Sequence, residues 1–167
     1  MSAMKEIEDA ARLVFNLCLE RHLKVATAES CTGGLIAGAL TEIAGSSAVF
    51  ERGFVTYSNE AKMEILGVRA ETLDKFGAVS EETVRQMTEG ALARSRADIA
   101  VSVSGIAGPS GGTPEKPVGL VWFGLAVKGR EALAESRVFP GGRSDVRRAT
   151  VLHALKMVAD AARGSNS

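Results

Sequence analysis

The sequence predicts a single three-layer α/β domain whose mixed sheet of about five strands is flanked by helices. Three observations carry that prediction. Short apolar runs alternate with segments of helical periodicity through most of the chain. Two apolar runs then follow one another directly, as an antiparallel pair does. The composition, 46% hydrophobic with only 5% aromatic residues and 18 glycines, points to an aliphatic core and tight turns. At 167 residues the chain can bury one core, and no repeat or linker divides it. The expected domain is 1–164, followed by a flexible tail at 165–167.

Taking the elements in order, Ile7, Ala10, Ala11, Val14, Leu17 and Cys18 recur at helical spacing, predicting a helix over 3–21. A strand over 25–28 and a helix over 34–44 follow. The run "VFERGFVTY", 49–57, reads as a strand with a bulge at Gly53. A helix over 60–66 stops at Gly67. Ser80 reads as the cap of a helix over 81–94, whose first turn carries Glu81 and Glu82. The run "DIAVSVS", 98–104, is apolar enough for burial on both faces. Residues 118–127 and 132–139 read as a hairpin around Gly129-Arg130, and the last helix as 144–162. The polar end, 164–167, reads as frayed.

Twenty basic residues balance twenty acidic ones, so there is no net-charge footprint for direct nucleic-acid binding. No apolar run approaches the roughly 18 residues that span a bilayer. The first residues do not read as a signal peptide. Two cysteines and two histidines are too few for a disulfide framework or a metal site. The expectation is a cytoplasmic protein with no cofactor, no metal and no membrane partner. Adjacent apolar strands suit a homodimer, and the oligomeric state stays open.

Chemistry concentrates at three junctions that each follow a predicted strand: Ser30 to Gly34 ("SCTGG"), Tyr57 to Lys62 ("YSNEAK") and Ser104 to Gly112 ("SGIAGPSGG"). In open α/β sheets, ligands bind beyond the carboxyl ends of strands, so these junctions are expected to converge. After Ser30, the amides of Cys31, Thr32 and Gly33 are donors at a helix start, able to hold a phosphate or an oxyanion. Gly33 and Gly34 permit close approach of a substrate to the backbone. The plainer alternative is that Ser30 or Thr32 caps the helix and the glycines make the turn.

A serine nucleophile needs a base. His22 and His153 lack supporting carboxylate patterns, which leaves lysine. Lys62 falls near the first turn of the helix that opens at Asn59, where the dipole opposes a cation and lowers its pKa. Tyr57, the only tyrosine, ends the preceding strand and can relay a proton. The alternative is a solvated lysine beside an edge aromatic. Cys31 is the rival nucleophile, since a helix start favours a thiolate; the lack of a nearby histidine favours Ser30. The third junction, with Ser104, Gly105 and Gly108, matches no triphosphate-binding loop. Its glycines can wrap a phosphate or ribose through backbone amides, or form a mobile surface loop. Arg143, with Arg147 and Arg148 nearby, can clamp a phosphate at the last helix or belong to a solvated basic face.

The segments "TAESCTGG", "GSSAVFERGFVTYSNEAK", "GAVSEETV" and "VSVSGIAGPSGGTPEKPVGLVWFG" together resemble the C-terminal domain of the CinA (competence- and damage-inducible) family. The likeness runs in order along nearly the whole chain and extends to the family's stand-alone amidohydrolases. It leaves no room for the family's molybdopterin-binding-like N-terminal domain. What the resemblance implies is hydrolysis of the carboxamide of nicotinamide mononucleotide, a small-molecule nucleotide, to nicotinic acid mononucleotide and ammonia without a cofactor. It also implies Ser30 as nucleophile, Lys62 as base and Tyr57 as assistant in proton transfer. Two rival expectations are a nucleotide-binding module that does not catalyse, and a competence or DNA-damage accessory protein acting through protein contacts.

Overall fold

The structure is a computed structural model that describes residues 2–164. The expected flexible tail at 165–167 lies outside the described residues. Ser2 opens the first helix, α1 (Ala3–Arg21), by accepting the Lys5 N–H, and His22 closes it in the left-handed region. The wholly buried β1 (Val25–Glu29) leads to α2 (Leu35–Thr41). After a 3-10 turn at Ser46–Ala48 come β2 (Phe50–Val55), α3 (Asn59–Leu66), α4 (Ala70–Phe76) and α5 (Glu81–Ala93). Then β3 (Ile99–Gly105), β4 (Leu120–Val127), β5 (Leu133–Val138) and α6 (Arg143–Gly164) complete the chain.

The five strands form one mixed sheet in the order β2-β1-β3-β4-β5. The first three run parallel, and β4 and β5 turn back antiparallel. Strand alternation sends Val25, Val101 and Phe123 into a core shared with Val14, Ile36, Leu40 and Leu155 of α1, α2 and α6. The opposite face carries small residues, Ala26, Ala28 and Ala100, against Val84, Met87 and Ala91 of α5 and Leu66 of α3. Two helical layers therefore sandwich the sheet, as the alternation of elements predicts.

The small-residue face lets helices lie close. A Cβ on Gly90 would overlap the Leu66 carbonyl at the end of α3, with backbone on both sides of the contact. Gly90→Ala is therefore expected to lower stability by about 1–3 kcal/mol despite alanine's better helix propensity. Urea denaturation at pH 7 measures it.

Local differences from the sequence reading have physical causes. The register of β1 on β2 skips between Val25↔Phe50 and Ala26↔Arg52, so the extra residue is Glu51 and not Gly53. Gly53 instead makes room: its Cβ would come 2.7 Å from Thr27 Oγ1 and 3.1 Å from the Phe50 ring. Helix α2 starts and ends inside the expected 34–44, because Gly34 sits at φ 108 and cannot belong to it. The unpredicted α4 has no side-chain cap at Arg69 and is held by burial of Thr72 and Leu73. β2 is shorter than 49–57, and α6 is slightly longer than 144–162. Among the described residues, no helix is long and apolar enough to cross a membrane.

Candidate active site

Because β1, β2 and β3 are parallel, their carboxyl ends deliver the three expected junctions to one edge of the sheet. The ladder extends past the strands: Ser30 N–H donates to the Val103 carbonyl (3.1 Å) and Thr56 N–H to the Glu29 carbonyl (2.9 Å). Along β1, Ala26 and Ala28 face the α3–α5 layer, and Ser30 continues that alternation toward α3. There Ser58 caps α3 by accepting the Ala61 N–H, and Lys62 stands one turn in.

Lys62 is 1% exposed, and its Nζ lies 2.9 Å from Ser30 Oγ, 3.0 Å from the Thr56 carbonyl and 3.1 Å from the Tyr57 carbonyl. A neutral amine has two N–H donors and one lone pair. As the ammonium, Lys62 donates to both carbonyls and to Ser30 Oγ, whose own hydroxyl points to the Tyr57 carbonyl at 3.5 Å. Once deprotonated, two carbonyls still take its donors and its lone pair is free for the serine hydroxyl. Among the described residues, no carboxylate forms an ion pair with this lysine. Burial lowers its pKa from 10.5 to about 8, with the neighbouring Cys31 sulfur acting weakly the other way. The sequence reading credits the helix dipole for this effect; burial is the principal cause.

Ser30 is 8% exposed and opens a tight turn in which Gly33, at φ 58, donates its N–H to the Ser30 carbonyl (3.0 Å). Thr32 is wholly buried, and its hydroxyl donates to Glu29 Oε1 at 2.5 Å. The Glu29 carboxylate also accepts the N–H groups of Ile36 (2.9 Å) and Ala37 (3.0 Å). Glu29, absent from the expected set, thus occupies the start of α2 that the sequence reading offers to a phosphate. Its one sequence signal is an acid ending an otherwise apolar, buried strand. Of the three amides after Ser30, that of Gly33 is already bonded and that of Thr32 is sealed in. The Cys31 amide, in a residue 5% exposed, donates to no protein oxygen among the described residues.

The Cys31 thiol is pushed up to about 11, mainly by burial, so it stays protonated at neutral pH. On the outer side of the turn, Arg147 donates from Nε to the Cys31 carbonyl (3.1 Å) and from Nη2 to the Thr32 carbonyl (3.3 Å).

Tyr57 is 60% exposed, and its side chain and backbone do different things. The carbonyl receives Lys62, while the hydroxyl accepts from Arg143 Nη2 at 3.1 Å. Arg143 Nη1 reaches the Gly108 carbonyl at 2.9 Å, so this arginine ties the second junction to the third. Ser104 is buried at the end of β3. The glycine at 105 serves strand packing, since its Cβ would lie 2.6 Å from Val121 Cγ2. Asn59 is exposed at the first position of α3. The histidines belong elsewhere: His22 closes α1, and His153 packs on Phe123 with Nε2 2.8 Å from Glu135 Oε1. His153 therefore does have a carboxylate partner, contrary to expectation, but none of the serine's contacts involves it. Among the described residues, no group of three His, Cys, Asp or Glu side chains is placed to hold a metal.

Fold and site together define an open α/β protein with a buried serine–lysine pair beyond the carboxyl ends of its parallel strands. The family model described as the CinA C-terminal domain matches residues 7–162, and the chain belongs to that family. It is 58% identical over 136 residues to the Escherichia coli K12 protein named nicotinamide-nucleotide amidohydrolase PncC, covering 81% of this chain and 82% of that one. It is 55% identical over 144 residues to the CinA-like protein of Akkermansia muciniphila, covering 86% of this chain but only 35% of that longer relative. The crystal structure of the competence/damage inducible protein CihA from Agrobacterium tumefaciens superposes with a TM-score of 0.91 at 55% identity, over 95% of this chain and 96% of that chain.

Proposed function

We propose that the chain hydrolyses the carboxamide of nicotinamide mononucleotide to nicotinic acid mononucleotide and ammonia, through an acyl-enzyme on Ser30. The observation that carries this reading is the buried 2.9 Å contact between Ser30 Oγ and Lys62 Nζ, in a chain 58% identical to a named amidohydrolase. Neutral Lys62 takes the Ser30 proton, and the oxygen attacks the carboxamide carbon. The charge that develops on the carboxamide oxygen meets the Cys31 amide, whose direction is set by the Gly33-to-Ser30 bond. The Lys62 ammonium, steadied by the Thr56 and Tyr57 carbonyls, gives its proton to the leaving nitrogen, and ammonia departs. Water, deprotonated by Lys62, then cleaves the Ser30 ester and restores the hydroxyl.

In this reading Tyr57 assists proton transfer through the carbonyl that orients Lys62. Its hydroxyl and Arg143 flank the mouth, where the substrate phosphate rests. Asn59, exposed at the start of α3, and Gly108, whose carbonyl accepts from Arg143, complete the substrate-binding set. The reaction needs no metal, cofactor, nucleic acid or membrane, and places the protein in cytoplasmic pyridine-nucleotide salvage.

The test is ammonia release from nicotinamide mononucleotide, measured alongside nicotinic acid mononucleotide by chromatography. The expected result is equimolar formation of both. A well-folded chain that binds the nucleotide and releases nothing would replace this reading with a binding role.

A further inference from the structure

We propose that Arg147 is a positioning residue for the catalytic turn, an inference that rests on the amidase reading above. The turn from Ser30 to Gly34 presents both the nucleophile and the Cys31 amide, so its peptide planes must be held. Three holds are local: Gly33 N–H on the Ser30 carbonyl, Leu35 N–H on the Thr32 carbonyl (3.1 Å), and the Glu29 carboxylate on the Thr32 hydroxyl. The fourth comes from α6, far along the chain, and among the described residues alone reaches the Cys31 carbonyl.

Arg147 grips two successive carbonyls, Cys31 at 3.1 Å and Thr32 at 3.3 Å. Among the described residues it is the only donor to the Cys31 carbonyl. Peptides are planar, so fixing these carbonyls fixes the two planes on either side of Thr32. The second carries the Gly33 N–H, whose bond to the Ser30 carbonyl in turn sets the plane of the Cys31 amide. A guanidinium suits this task because its donors form a rigid fork. No carboxylate pairs with Arg147 among the described residues, whereas its neighbour Arg148 lies 3.7 Å from Asp145. The charge of Arg147 is therefore committed to the backbone of the turn.

Arg147 acts on the turn from the α1/α2/α6 side of the sheet, opposite the layer that carries Lys62. It lines a cavity of about 890 Å³ between α1, α2 and α6, beside Gly34, Leu35 and Val151. That opening admits a small cation to the same carbonyls, which makes chemical rescue feasible.

Arg147→Ala, Arg147→Lys and wild type are compared in three ways: steady-state kinetics with and without millimolar guanidinium, thermal unfolding, and alkylation of Cys31 located by peptide mass. The expected result for Arg147→Ala is a kcat lower by roughly 10- to 100-fold with KM within about threefold, since misplacing one oxyanion donor costs the transition state more than the ground state. Guanidinium restores part of that kcat, Arg147→Lys retains more activity than the alanine variant, and Cys31 alkylates faster once its turn is loosened. Should Arg147→Ala fail to fold, Arg147→Gln carries the same measurements. A kcat within threefold of wild type with Cys31 still protected overturns the proposal. So does equal loss in the Lys and Ala variants, without rescue and with a lowered midpoint, which marks a merely structural contact. If wild type itself releases no ammonia, the amidase reading falls, and Cys31 protection alone decides whether Arg147 holds the turn.

Discussion

Replacing Lys62 with methionine is expected to abolish ammonia release, by about 10³-fold or more, while raising stability at pH 7. The two effects share one cause. On the proposed mechanism, activity is lost because the general base is gone, a contribution of about 10²- to 10⁴-fold that here also includes activation of the nucleophile. Stability rises because the folded chain holds an amine whose pKa burial has lowered from 10.5 to about 8. Between those values the unfolded chain binds the proton and the folded chain does not, so wild-type stability increases with pH across that window. Below about pH 8 the folded state carries the full penalty, of order 3 kcal/mol. Methionine removes it, offset by about 1–2 kcal/mol for the Thr56 and Tyr57 carbonyls left without their donor. The net expectation at pH 7 is a gain of about 1 kcal/mol, seen in paired denaturation curves, that falls to zero at about pH 9 and reverses to a loss of about 1–2 kcal/mol toward pH 10.5. The same titration makes wild-type kcat/KM rise about tenfold per pH unit below about 8 and level off above it. A flat profile from pH 6 to 9 would remove Lys62 as the base.

Ser30→Ala is expected to be inactive, by about 10³-fold or more, whereas Cys31→Ser keeps kcat within about fivefold of wild type. The two side chains are adjacent, but their surroundings separate them. Ser30 Oγ faces the Lys62 amine, while the Cys31 thiol, pushed up to about 11, carries almost no thiolate at pH 7. Hydroxylamine added to wild type should divert the acyl group from water to a hydroxamate, and this product should be absent from Ser30→Ala. Activity that survives in Ser30→Ala and vanishes in Cys31→Ser would move the nucleophile by one residue.

Much of the fold and part of the site can be read from residue order alone. The apolar periodicity of α1, the Ser80 cap and Glu81-Glu82 start of α5, and the doubly buried "DIAVSVS" run each carry a local signal that the structure bears out. α4 does not, because Arg69 provides no cap and the helix depends on where Thr72 and Leu73 are buried. The bulge beside β1 is likewise a matter of pairing: Glu51 looks ordinary until its partner strand is known. In the site, Ser30, Tyr57 and Lys62 are legible because the first two follow closely on strand ends and the third lies about one turn into a helix. Their geometry is not. Whether Lys62 is solvated or sealed depends on α3 closing over the edge of the sheet, and Tyr57 contacts Lys62 by its carbonyl, not its ring. Glu29 and Arg147 escape a linear reading because their partners are backbone groups brought near only by the fold, one a few residues ahead and one across the chain.

Glu29 also sets how this region responds to thermal fluctuation. Its carboxylate joins the catalytic turn, through Thr32, to the first amides of α2. Freeing the turn therefore means unravelling the helix start and stranding a buried anion, so the two segments open together or not at all. The loop that bears Ser30 is thus expected to exchange its amides slowly, unlike the lids and frayed ends from which many binding loops are drawn. Catalytic competence should then persist on heating until the global transition, rather than fading ahead of it.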